Sequence, residues 1–421
     1  MSCRARWSGS YTSAVQMQRL IVGVDAAADG LDCSFCDRMP SEGGTLIVSG
    51  DVAICDYCIA EGAELVAQEP ALPDEDAHEE ADPAAVVGAR QHQPVFFRLL
   101  TEADVATLLP AGQLIDAMRI ALMQFSAGKV TQPVRTVIPM GQDRSFLGLM
   151  PAYLREAGSA GAKLVAVFPG NAQRNLPTHL ASILLISPET GALISMMDGR
   201  YITEARTAAV SAVSAVALAR DDAGTLAILG SGTQARSHLT MLQQVFSLQE
   251  VRVWSPTPDH AAAFVDEMQP SAKAPIVQAR SAEAAVRGAD LIVLATSSPE
   301  PVIRNAWVAD GAHVMAVGAC RPDQREMDPQ LVARGRLFVD SRDAALVESG
   351  DVVMGIAEGT FGASHVIGEL GALLAGSLTG RQWPNDVTIV KSLGLAVEDV
   401  VAARLVYDRA IAGGIGQELE L

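Results

Sequence analysis

Hydrophobic and polar positions follow two rhythms along this chain, and some stretches follow neither. Residues 1–30 show no sustained periodicity and are expected to be a disordered tail. From Pro94 the pattern is globular. Thr101 with Asp104 predicts a capping box opening a short helix that stops before Pro110. Leu114, Ile115, Met118, Leu122 and Phe125 recur at helical spacing and predict a second helix ending near Gly128. Between 130 and 200 the apolar runs PVRTVIP, AKLVAVFPG and ASILLIS are broken by Gly and Pro, and predict strands of a sheet. A long helix is expected from about Thr203 to Arg220. Beyond Thr225, TLAIL, VRVW, DLIVLAT, HVMAVG and RLFVD are strand-length, and helical segments such as AEAAVRGA separate several of them. Alternating strand and helix predicts a parallel, doubly wound α/β sheet. The stretch Lys391 to Arg409 is expected to be an amphipathic helix packing back onto the first half.

Composition adds limits. At 421 residues, 49% of them hydrophobic, the chain has enough apolar material for two or three domains. The longest apolar-small stretch, Ala208 to Ala219, is flanked by Arg206 and Arg220 and is too short to span a bilayer. The start has no apolar signal region, and six cysteines are too few for a disulfide scaffold, so a cytoplasmic protein is expected. The net charge of −18 argues against non-specific nucleic-acid binding. Half of it comes from Glu61, Glu64, Glu69, Asp74, Glu75, Asp76, Glu79, Glu80 and Asp82, a run without Lys or Arg. This run leads through 67–93, rich in Ala and Pro, and reads as a flexible acidic linker, with a specific acidic docking motif as the alternative.

Two motifs carry chemistry. Cys33 and Cys36 form one C-x-x-C pair, and Cys55 and Cys58 form another eighteen residues on. Each pair closes a turn that aims two thiolates at one ion, and two pairs complete a tetrahedral zinc shell. A segment this short builds no core of its own, so the metal would supply folding energy. A redox dithiol and unrelated thiols are the other readings. Further on, Gly230-Ser-Gly232-Thr233-Gln234-Ala235 follows TLAIL and opens a helical segment. This is a dinucleotide fingerprint. The first Gly allows a tight turn, the second lets backbone approach a pyrophosphate, and the small Ala235 lets helix pack on strand. Next, VRVW ends in Ser255, Pro256 and Thr257, with no carboxylate for a ribose 2′-hydroxyl and no Arg for a 2′-phosphate. Ser255 and Thr257 can bond a phosphate without repelling it, which favours NADP(H) over NAD(H).

Three lone cations stand in apolar surroundings: Arg135 on a strand, Lys163 in AKLVAVF and Arg206 near the start of the long helix. The two arginine placements are costly without an anionic partner. That partner is either a substrate carboxylate, which suits the planar Arg fork, or an internal Asp or Glu. For Lys163, the alternative to an active-site role is an edge-strand side chain reaching solvent. A desolvated Lys exchanges protons near neutrality.

The segments QPVRTVIP, MPAY, AKLV, LPTH, MDGRYITEARTAAVSAV, LGSGTQARSH, AVGACRPDQREMD, VDSRDAALVESGD and VKSLGLAVEDVVAARLVYD resemble the ornithine cyclodeaminase/mu-crystallin family, in family order from about Pro133 to Ala410. The resemblance implies a Rossmann domain (221–350) inserted into a mixed α/β substrate and dimerisation domain (94–220 and 351–421). It implies redox chemistry at a C–N bond beside a carboxylate, and a homodimer. It makes Arg135 and Arg206 the carboxylate-binding arginines and Lys163 the active-site lysine, with Met150 and Leu393 near the substrate. It adds Thr178, Thr233, Gln234, Ser255, Thr296 and Ser392 as cofactor contacts. Cyclodeaminases carry an Asp where this chain has Cys320, and a thiol cannot replace a carboxylate that must stay ionised. Asp323 lies at the wrong offset to substitute. Separately, residues 31–66 resemble the four-cysteine zinc finger of the ClpX unfoldases, which implies a dimerising, protein-binding module. No G-x-x-x-x-G-K-[ST] loop exists in the chain, so the ATPase does not follow.

The leading expectation is an NAD(P)-dependent reductase of a small 2-imino acid, tethered to a zinc finger that binds a protein partner. An ornithine or lysine cyclodeaminase and a non-enzymatic NADP-dependent ligand binder are the alternatives.

Overall fold

The computed structural model describes residues 21–24, 46–49, 52–55, 58–60 and 93–421, except 142 and 143. The chain divides into two compact units, Met1–His92 and Gln93–Leu421. In the first, β1 (Ile21–Val24), β2 (Leu46–Ser49) and β3 (Val52–Cys55) form a three-stranded antiparallel sheet. β1 lies inside the expected tail. Its run IVGV is too short to show a period and gains its order by pairing with LIVS. Cys55 ends β3 and is buried, and Cys58 is half-buried. Cys33, Cys36 and residues 67–92 of the expected linker lie outside the described residues.

The second unit holds two eight-stranded sheets. One is built from β4 (Phe96–Leu100), β5 (Val130–Thr131), β6 (Thr136–Pro139), β7 (Phe146–Leu154), β8 (Ser159–Val167), β9 (His179–Ile186), β10 (Leu193–Asp198) and β19 (Gln417–Glu420). Its order is β19-β4-β10-β9-β8-β7-β5, with β6 also beside β7, and every pair but β4 and β10 is antiparallel. Met150, Lys163, Ile183 and Met197 stand in register across β7 to β10 and are all buried. Helices Ala111–Ser126, Arg200–Leu218 and Ala396–Gly413 pack together, and the last lies on β7, β8 and β9. The expected capping box is present: Thr101 and Asp104 exchange hydrogen bonds and open helix Glu102–Leu108.

The other sheet is wholly parallel, as its doubly apolar runs require. Its order is β13-β12-β11-β14-β15-β18-β16-β17. These are β11 (Thr225–Leu229), β12 (Glu250–Trp254), β13 (Ile276–Gln278), β14 (Leu291–Leu294), β15 (His313–Ala316), β16 (Arg336–Val339), β17 (Val366–Glu369) and β18 (Thr388–Lys391). Two expectations are corrected here. The sheet continues past residue 350 through β17 and β18, so the return to the first half falls after Lys391. Residues from Lys391 also do not start a helix. The run TIVK is β-branched and buried on both faces, so it forms β18 between β15 and β16. Gly394 then takes φ +86°, and the helix begins only at Ala396.

Candidate active site

The glycine loop stands at the C-terminal end of β11, where strand order reverses between β11 and β14. Such a switch point is where open α/β sheets bind nucleotides. Gly230 has φ +111°, and a Cβ there would lie 2.4 Å from the Ala295 carbonyl oxygen, so only glycine fits. Gly232 caps helix Thr233–Val245, and nothing lies within 4 Å of the place a Cβ would take. Protein packing does not explain that glycine, but a close-approaching pyrophosphate does. Ala235 is fully buried beneath it. Gln234 offers a buried Oε1 that has no hydrogen-bond partner among the described residues. Ser255 is buried at the end of β12, and Thr257 precedes helix Pro258–Met268 without capping it. This loop therefore fits a dinucleotide, which Gly230, Gly232, Thr233, Gln234, Ser255 and Thr257 would hold.

Three expected cofactor contacts are engaged elsewhere. The Thr296 hydroxyl donates to Glu326 Oε1 at 2.8 Å, and its backbone N–H donates to the same oxygen at 2.6 Å. The Ser392 hydroxyl donates to Asp340 at 2.9 Å. Thr178 opens β9 and meets His179 Nδ1 at 3.2 Å; no hydrogen bond among the described residues joins it to the loop.

The cations converge on the helix Ala396–Gly413. Lys163 Nζ lies 2.5 Å from Asp399 Oδ2 and donates to the Thr203 hydroxyl at 3.3 Å. Burial pushes its pKa down to about 8, against the attraction of Asp399. Arg206 donates from Nε to Asp399 at 2.9 Å and from Nη1 to Glu398 at 2.5 Å. Burial opposes its charge, but the two carboxylates hold its pKa above the ordinary range. Its guanidinium packs against Gly394, where a Cβ would meet Nη1 at 2.4 Å. The internal-partner reading is thus realised for Arg206, and its expected grip on a substrate carboxylate is not free of competition. Lys163, 1% exposed, is not an edge-strand side chain reaching solvent.

Arg135 differs. It donates to the Leu393 carbonyl at 2.8 Å and pairs with Glu348 at 3.1 Å, and it lines an open cleft. Phe125, Val134, Met150, Leu395 and Ala396 give that cleft apolar walls, and Gln132, Ser341, Asp343 and Glu348 add polar groups. Burial raises the Glu348 pKa, against the pull of Arg135. Met150 is Lys163's register partner on β7, and Leu393 supplies the carbonyl, so both expected substrate neighbours sit beside the cations. Cys320 is half-buried and donates its thiol to the Val317 carbonyl at 3.3 Å. Asp323 is at the surface with Arg321 and does not replace the missing carboxylate.

Sequence reasoning missed Glu348, Glu398, Asp399, Asp340 and Glu326. For Glu348, Glu398 and Asp399 the signal was that lone buried cations require anions, whereas Asp340 and Glu326 accept from hydroxyl and backbone N–H groups, which the sequence does not mark.

A dinucleotide loop on a parallel sheet, joined to a second sheet whose lysine shares a buried carboxylate with a helix arginine, defines a class of nucleotide-dependent enzyme. The chain belongs to the ornithine cyclodeaminase/mu-crystallin family, whose sequence profile matches residues 97–414. The ClpX C4-type zinc finger profile matches residues 31–68. The chain is 43% identical to ketimine reductase mu-crystallin of Rattus norvegicus over 303 residues, 71% of this chain and 93% of that protein. It is 32% identical to the Delta(1)-pyrroline-2-carboxylate reductase of Bacillus cereus over 314 residues, 74% of this chain and 96% of that protein. Among solved structures, the Thermococcus litoralis Delta(1)-pyrroline-2-carboxylate reductase with NADH and L-proline superposes with a TM-score of 0.75 at 35% identity. That match covers 76% of this chain and 99% of that one. An archaeal alanine dehydrogenase dimer with NAD gives 0.72 at 32% identity, covering 77% and 99%.

Proposed function

We propose that this chain is an NAD(P)-dependent reductase that converts the C=N bond of a small 2-imino acid to the 2-amino acid. The observation that carries the reading is Lys163, a buried ammonium on Asp399, one strand away from Met150 in the cleft wall. Kinship with ketimine and pyrroline-2-carboxylate reductases supports it. NAD(P)H, when bound, would supply the hydride that the imine carbon takes up as the C=N π pair moves to nitrogen. That nitrogen needs a proton. Lys163 donates that proton, and Asp399 stabilises its charged form. Arg135 holds the substrate carboxylate at the cleft, fixing the distance to the cofactor. Arg206 holds Asp399 and Glu398 in place and supports the carboxylate site from below. Run backwards, the same groups oxidise an amino acid.

NADP(H) is preferred, because no carboxylate ends β12 to repel a 2′-phosphate. Structural zinc is held by Cys33, Cys36, Cys55 and Cys58, and that finger serves a protein partner. The enzyme is a homodimer. The face of the antiparallel sheet opposite its helices exposes Ile138, Leu149, Leu164, Leu180 and Met196, an apolar surface that a second copy would cover.

The deciding experiment is oxidation of NADPH and NADH with piperideine-2-carboxylate and pyrroline-2-carboxylate. Turnover with either imine and faster use of NADPH is expected. Ornithine converted to proline and ammonia without added reductant, and no imine reduction, would replace the reading by a cyclodeaminase.

A further inference from the structure

We infer that Asp340 is a positioning residue that aims Arg135 by fixing the backbone turn Ser392–Gly394. Asp340 follows β16 and is fully buried. Its Oδ2 accepts three hydrogen bonds from that turn: the Ser392 hydroxyl at 2.9 Å, and the Leu393 and Gly394 N–H groups at 2.6 Å each. Its Oδ1 accepts the Ser341 N–H at 2.8 Å. With the turn's donors facing Asp340, its carbonyls face Arg135. Arg135 Nη2 donates to the Leu393 carbonyl at 2.8 Å and lies 3.4 Å from that of Gly394. The same carboxylate controls Arg135 from its other side. Ser341, the residue Asp340 holds, caps helix Arg342–Glu348, and that helix ends in Glu348, the carboxylate paired with Arg135. Removing Asp340 would strand two buried N–H groups and let the turn rotate its carbonyls away.

The inference rests on Arg135 as the carboxylate-binding group. Its test is a double-mutant cycle of Asp340→Ala and Asp340→Asn with Arg135→Ala. Turnover of piperideine-2-carboxylate and equilibrium binding of L-pipecolate to the NADP⁺-loaded protein are both read. Asp340→Ala should raise KM for the imino acid about tenfold or more, with KM for NADPH moving less than about threefold. Asp340→Asn should recover part of this loss, because its amide oxygen meets the same three donors while its NH2 cannot accept the Ser341 N–H. In the Arg135→Ala background, Asp340→Ala should add less than about threefold. Fully additive losses, or equal rises in both KM values, would overturn the inference. Should Asp340→Ala fail to fold, Asp340→Ser takes its place in the cycle, because its shorter side chain cannot reach both backbone N–H groups of the turn. Should the wild-type protein reduce no imino acid, the reductase reading falls by itself. Pipecolate binding then tests Asp340, and an unchanged affinity in the variant refutes it.

Discussion

Lys163 shows how burial becomes chemistry at a single residue. An ammonium 1% exposed is costly, and one carboxylate at 2.5 Å only partly offsets that cost. The result is a pKa of about 8, which makes the group a usable acid near neutrality. The acid must be protonated to act in reduction, so kcat for imine reduction should fall as pH rises through about 8. Oxidation of the amino acid needs the free amine and should rise over the same range. Both limbs should vanish in Lys163→Ala, whose kcat should drop at least about 100-fold. An unchanged kcat with the pH dependence intact would assign the titration to another group. The three cations were legible in the sequence because each interrupts an apolar run. Their partners were not, because Asp399 and Glu398 lie 193 and 192 residues from Arg206 along the chain. Only the fold could say that one buried carboxylate serves Lys163 and Arg206 together.

At the scale of elements, helix Arg200–Leu218 carries Arg206 at one end and a polar seam further along. His238 Nε2 meets the Ser211 hydroxyl at 2.8 Å, and His313 Nε2 meets that of Ser214 at 3.1 Å. His313 Nδ1 also meets the Thr388 hydroxyl on β18 at 2.9 Å. The seam joins the helix to the nucleotide helix and to the parallel sheet. Burial lowers both histidines, to about 4 and about 3. Each is therefore neutral in the folded state, while the unfolded chain takes up a proton near pH 6.5. Stability from these groups is complete above pH 6.5 and is lost as pH falls towards 4. Between pH 7 and 5 the loss should be on the order of 2 kcal/mol per histidine. Urea unfolding at both pH values, with wild type and His238→Gln, would measure it; an equal loss in the variant would clear His238. The elements were read well where local pattern and burial agree, as in the capped helix at Thr101 and the strands from Thr225. The error at Lys391 has a physical cause. A strand buried on both faces has no period of two, so TIV went unread and Lys391 was counted into the helical pattern that follows it. The glycine that separates them acts through φ +86°, which composition alone does not reveal.

At the scale of the molecule, the question is which part would make the proposed dimer. The relatives are covered over 93% or more of their length by about three quarters of this chain. Unit Gln93–Leu421 is therefore equivalent to a whole relative, and Met1–His92 is an addition to it. The apolar sheet face belongs to the second unit, while the four C-x-x-C cysteines belong to the first. If the sheet face makes the dimer, Gln93–Leu421 alone should remain dimeric in light scattering and keep kcat/KM within about twofold, since no site residue is removed. Leu164→Glu, placing a charge at the centre of that face, should give monomers in this shortened chain. In the full-length chain the same substitution separates the two devices. A dimer that persists in Leu164→Glu and dissociates when zinc is chelated would place a second association in the four-cysteine finger. A Leu164→Glu monomer, with zinc still bound at one ion per chain, would leave the finger free for a different protein.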